Sequence, residues 1–111
     1  MAYRATAITA NGTYEIAKVH LKSNVTEYLA TITSFGTFGG GTITIQLSPD
    51  GGTTKITQDS SPGTPYSATA NSTINFRSGG GSDNTSSPIL YATLSGATNP
   101  SLTIAVDDNA W

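Results

Sequence analysis

Alternation of apolar and polar residues with a period of two recurs along this chain, and it restricts the fold more than any other feature. It is clearest at "TITIQLS", residues 42–48, which sets Ile43, Ile45 and Leu47 against Thr44, Gln46 and Ser48. Such a run places its apolar groups on one side of a pleated strand and its polar groups on the other. The same reading predicts strands at 13–22 (Ala17, Val19 and Leu21 inward; Lys18, His20 and Lys22 outward) and at 53–58, where Ile56 is the one large apolar group. It also predicts strands at 71–77 (Ile74, Phe76), 89–95 (Leu90, Ala92, Leu94) and 101–107 (Leu102, Ile104, Val106). Tyr14 and Ile16 are out of phase with Ala17, which predicts a bulge or a change of sheet there. Residues 27–35 carry apolar groups on both faces, Tyr28, Ala30 and Ile32 against Leu29 and Phe35. A strand of that kind is expected to be central in its sheet or to lie beneath a subunit contact.

No segment repeats at the helical period, and Thr, Ser and Gly abound where Leu, Glu and Lys are scarce. The expected fold is therefore all-β: an antiparallel β-sandwich, jelly-roll or immunoglobulin-like, of six to eight short strands with little or no helix. At 111 residues it is expected to form a single domain over 1–111, with residues 1–12 as an extended N-terminal arm. Two polar stretches rich in Gly and Pro, 59–72 and 77–88, read as long loops and as candidate contact surface. The inward set is thin for the chain's length, so association is expected, as a dimer or trimer or on another protein.

Charge narrows the partners. Only 11% of residues are charged and the net charge is -2, so there is no basic surface to release counterions from nucleic acid. No run of about 18 apolar residues is available for a membrane-spanning helix. The opening residues lack the apolar block of a secretory signal, and cysteine is absent.

Catalytic chemistry is hard to assemble from these residues. The carboxylates Glu15, Glu27, Asp50, Asp59, Asp83, Asp107 and Asp108 and the lone His20 form no recognisable acid–base constellation. No G-x-S-x-G occurs, and "FGGGT" and "SGGGS" lack the Lys and following helix of a phosphate loop. No cofactor is implied, and the Asp-rich turns lack the spacing of a calcium loop. The chain is thus expected not to be an enzyme. Exposed aromatics are the candidate interface residues: Tyr3, Tyr28, Tyr66, Tyr91 and Trp111, each able to serve a subunit contact or a saccharide platform. At 48–51, Ser-Pro-Asp-Gly fits a type I turn, with Pro49 presetting φ, Asp50 a turn residue, and Gly51, followed by Gly52, taking a positive φ.

Residues 41–55, "GTITIQLSPDGGTTK", resemble the Thr- and Gly-rich hairpins of small structural proteins of tailed bacteriophages, though Lys55 stands where those hairpins commonly carry an aromatic. The resemblance implies a β-sandwich virion protein of the capsid decoration, or cement, type. It would be assembled in the host cytoplasm and bind the major capsid protein or another virion protein as a homo-oligomer. A tail, neck or head-fibre component is the neighbouring expectation, and a carbohydrate-binding module the one outside that class.

Overall fold

Strands account for nearly all the regular structure of the computed structural model, which describes residues 2–18, 27–48, 51–79 and 89–108. In chain order they are β1 (Ala2–Ile8), β2 (Gly12–Lys18), β3 (Glu27–Thr37), β4 (Thr42–Ser48), β5 (Ile56–Thr57), β6 (Asp59–Ser61), β7 (Thr64–Pro65), β8 (Ser67–Ala68), β9 (Ser72–Gly79), β10 (Ile89–Ser95) and β11 (Ser101–Asp108). They form a four-stranded antiparallel sheet in the order β1-β11-β3-β9 and a five-stranded one in the order β2-β10-β4-β5, with β8 also pairing β4. The stretches expected to be strands at 42–48, 89–95 and 101–107 lie in β4, β10 and β11.

The order of strands distinguishes two kinds of sandwich. Immunoglobulin-like domains keep their first two strands in one sheet. Here β1 and β2 lie in different sheets, and the long strands go on changing sheet at each connection, so that the first and last become neighbours. This interleaving is the jelly-roll order. Four of its sheet-crossing connections, β1–β2, β3–β4, β8–β9 and β10–β11, gather at one end, since Ile8 pairs Leu102, Thr37 pairs Ser101, Thr42 pairs Ser95 and Ile43 pairs Ala68. Hydrogen bonds stitch that end together. The Asn11 side chain donates to the Ala97 carbonyl at 3.0 Å and accepts from the Ala97 N–H at 2.9 Å. Thr98 N–H donates to the Gly39 carbonyl (2.9 Å), and Gly36 N–H to Asn71 Oδ1 (2.9 Å).

Between the sheets lies one apolar layer, built from Ile8, Ile32, Phe76, Ile104 and Val106 on one side and Ile16, Ile43, Ile45, Leu90 and Leu94 on the other, all 0–1% exposed. Ile16 reaches it through a bulge: Leu90 pairs Ala17 and Tyr91 pairs Glu15, so Ile16 is the extra residue. That is the irregularity expected near Ala17, and it lets Ile16 and Ala17 both face inward. Tyr66 closes one side of the layer against Phe76, their ring centroids 5.1 Å apart.

Several expectations need correction. Residues 2–8, read as part of an arm, are β1, an edge strand whose Ile8 is fully buried. Small alternating Ala and Thr gave it little apolar signal. The expected loop 59–72 contains the β6–β7 hairpin and β8, and 77–79 belong to β9, while 80–88 lie outside the described residues. The strand expected over 53–58 contracts to Ile56–Thr57, leaving Ile56 51% exposed at the sheet edge. Ser48, expected outward, is buried, because its hydroxyl accepts the Gly52 N–H at 2.7 Å beneath the returning chain. Val19, His20, Leu21 and Lys22 lie outside the described residues.

Ser34 is fully buried on the core side of β3, and its Oγ finds no hydrogen-bond partner among the described residues. An unsatisfied buried hydroxyl costs about 1–3 kcal/mol. Ser34→Ala is expected to raise stability by about 1 kcal/mol in a denaturant melt. Asn11→Ala, which removes two bonds between connections, is expected to lower it by about 1–2 kcal/mol.

Candidate binding faces

Each sheet turns one face to the core and the other outward, and register decides which side chains share the outward face. On the four-stranded sheet the rows are Ala7, Thr103 and Phe35; then Ala5, Ala105, Thr33 and Thr73; then Asp107, Thr31 and Asn75; then Leu29 and Arg77. Asp107 and Arg77 are the only charged groups on these rows. Leu29 and Phe35, both on the central strand β3, are 43% and 45% exposed. At the end carrying Leu29, a cleft of about 530 Å³ is lined by Leu29, Thr31, Asn75, Arg77, Asp107 and Asp108, together with Ala30 and Phe76. An apolar wall, a carboxylate, an amide and a guanidinium therefore border one open space.

The five-stranded sheet has an outward face of a different kind. Thr93 Oγ1 donates to Gln46 Oε1 (3.0 Å), which leaves its oxygen to accept from Thr13 Oγ1 (3.0 Å). Gln46 Nε2 in turn donates to Thr57 Oγ1 at 3.4 Å, so a side-chain belt crosses β2, β10, β4 and β5 with its dipoles aligned. Tyr91, one step along β10, is half-buried beneath the chain that returns from β4. The Lys55 ammonium stands 4.8 Å from its ring centroid, a cation–π contact, and also donates to the Gly52 carbonyl at 3.0 Å. Arg4 of β1 donates to Glu15 of β2 at 2.8 Å across the side of the sandwich. Both side chains are partly exposed, so this pair contributes at most about 1 kcal/mol.

Of the candidate interface aromatics, the two whose side chains are described, Tyr66 and Tyr91, lie apart. Tyr66 packs inside the edge against Phe76, and Tyr91 sits under Lys55 on the opposite outer face from Leu29. Tyr3 occupies the β1 position paired with Asp107, and Tyr28 the β3 position paired with Ser78. Trp111 lies outside the described residues, as do Pro49 and Asp50 of the turn. Among the described residues no three His, Cys, Asp or Glu side chains converge as a metal site would require. No protein-family model, no curated protein and no solved structure matches this chain. Of the groups around the cleft, Asp107 stands in the sequence only as a carboxylate outside any constellation, and Thr31, Asn75 and Arg77 were not candidates, because only cross-strand register brings the four together.

Gly51 and Gly52 hold the β4–β5 turn at φ +80° and +114°, so the expected positive φ at Gly51 is present. A Cβ on Gly51 would enter open space, whereas one on Gly52 would come within 2.8 Å of the Tyr91 hydroxyl. Gly51→Val is expected to cost about 1–2 kcal/mol through backbone strain. Gly52→Ala adds the collision and is expected to cost more, while also moving the Tyr91 fluorescence; thermal melts of the two variants give the comparison.

Proposed function

We propose that this protein is a non-enzymatic structural component of a virus particle, a decoration protein that binds the assembled head of a tailed bacteriophage and stabilises it. The observation that carries the reading is the outward face of the four-stranded sheet. It is rich in Thr and Ala, nearly free of charge, and exposes Leu29 and Phe35 from its central strand. Covering those two side chains would contribute roughly 1–2 kcal/mol each, enough to bias binding when many copies act on one shell. The jelly-roll order supports the reading more weakly, since capsid proteins and lectins both use it. The "PDGGTTK" hairpin adds the resemblance to phage structural proteins. Stabilisation needs no bond making: a protein that binds the closed shell and not its separated subunits shifts the equilibrium toward the shell by mass action.

A saccharide-binding role is favoured by one separate observation, the cleft where Leu29 borders Thr31, Asn75, Arg77 and Asp107. Sugars pair their hydroxyls with such carboxylates and amides and lay their apolar faces on a hydrophobic wall.

Both readings can be tested with purified protein. Added to decoration-free heads of the phage that encodes it, the protein is expected to co-sediment with them and raise their melting temperature. Leu29→Thr/Phe35→Thr is expected to abolish binding and leave the melting of the isolated domain nearly unchanged, because both side chains are exposed. Heads that neither bind the protein nor gain stability would refute the capsid reading, and a glycan array with a hit lost in Asp107→Asn would favour the saccharide.

A further inference from the structure

A sandwich has four sheet edges, and an exposed edge strand offers N–H and C=O groups to any other extended chain. Three edges here carry a device that discourages such pairing. β2 is bulged at Ile16. β1 places Arg4 opposite Val106, on the core side of the strand, where it bonds Glu15. The far edge of the five-stranded sheet is broken into the two-residue pieces β5 and β8. β9 has none of these. It runs eight residues without proline, its register against β3 is unbroken from Glu27–Gly79 to Ser34–Ser72, and among the described residues it ends the order of its sheet.

We propose that β9 is a self-association edge: it pairs antiparallel with β9 of a second copy about a two-fold axis at Asn75, joining two four-stranded sheets into one of eight strands. The strand's own sequence argues for a second copy as the occupant. In this register Ile74 lies across from the partner's Phe76 on the core side, an aromatic–β-branched pair that extends the apolar row. On the outer side the two Asn75 amides meet, each able to donate and to accept. Arg77, the only charge on the strand, lies across from the partner's Thr73, and four residues of strand, about 13 Å, separate it from the partner's Arg77. Centring the axis on Arg77 would instead set like charges face to face. Because such an axis is perpendicular to the sheet, the Leu29 and Phe35 faces of both copies point the same way. The pairing does not rest on the capsid reading and is tested without capsids.

The chain contains no cysteine, so a single introduced thiol reports unambiguously. Under mild oxidation Asn75→Cys is expected to form a reducible covalent dimer, because cross-strand Cα separations suit a disulfide. Thr53→Cys, exposed on the β4–β5 turn, should crosslink far more slowly. In sedimentation velocity the native chain is expected to show a concentration-dependent dimer, and Asn75→Lys to weaken it about tenfold or more by opposing two ammonium groups. A native chain that stays monomeric at every concentration would overturn the proposal. So would a dimer that Asn75→Lys leaves intact, or Asn75→Cys that crosslinks no faster than Thr53→Cys.

Discussion

Everything in this fold depends on one shared layer of branched aliphatic side chains, a single residue deep from each sheet. Ile8, Ile32 and Ile104 on one side and Ile16, Ile43, Ile45 and Leu90 on the other are fully buried, and among the described residues no second layer backs them. Neither sheet can keep its own apolar face dry, so the sheets stand or fall together. The interleaved chain order strengthens that dependence, since successive long strands always lie in different sheets. The Asn11–Ala97 and Gly39–Thr98 bonds then fix how the crossings lie against one another.

The two outer faces are freed by this arrangement to differ. On the five-stranded sheet the polar groups bond to one another, as Thr13, Thr93, Gln46 and Thr57 do, and the turn after β4 roofs Tyr91 with Lys55. That face has spent much of its bonding capacity internally. On the four-stranded sheet short side chains leave the surface smooth, and Leu29 and Phe35 protrude from it. A surface of that kind favours contact with another protein, and its open cleft near Asp107 provides a place for polar recognition.

Much of the fold was legible in the sequence because each long strand carries a full period of alternation. Residues 42–48 and 89–95 match β4 and β10 at both ends, and the phase break at Ile16 announced its bulge. The missed pieces share a physical cause. β1 sets Ile8 on the core side as its one large aliphatic residue, among Ala2, Arg4 and Thr6, so its alternation is faint and its place in the fold depends on pairing with β11. Ser48 is buried by a bond to Gly52 that no alternation rule contains. The binding faces were less legible still. Leu29 and Phe35 were recognised as the second apolar side of β3, but Asn75, Arg77 and Asp107 come from two other strands, and their proximity exists only once the register is set. Of the aromatics named from sequence, Tyr66 supports the core and Tyr91 is roofed by Lys55, placements that depend on contacts distant in sequence.

The broken edge of the five-stranded sheet has one more consequence. The chain leaves β4's side after Gln58, whose N–H donates to the Ile45 carbonyl. It returns at Tyr66, whose N–H donates to the Gln58 carbonyl and whose own carbonyl accepts from Ile45. The β6–β7 hairpin between those points is thus clamped at its base and exposed along its length. Its span is uncoupled from the register of the sheet, and lengthening it carries mainly the slowly growing entropy of a longer closed loop. The sandwich therefore holds a ready place for displaying foreign peptides at the tip around Gly63, where new sequence can be carried without asking the core to change.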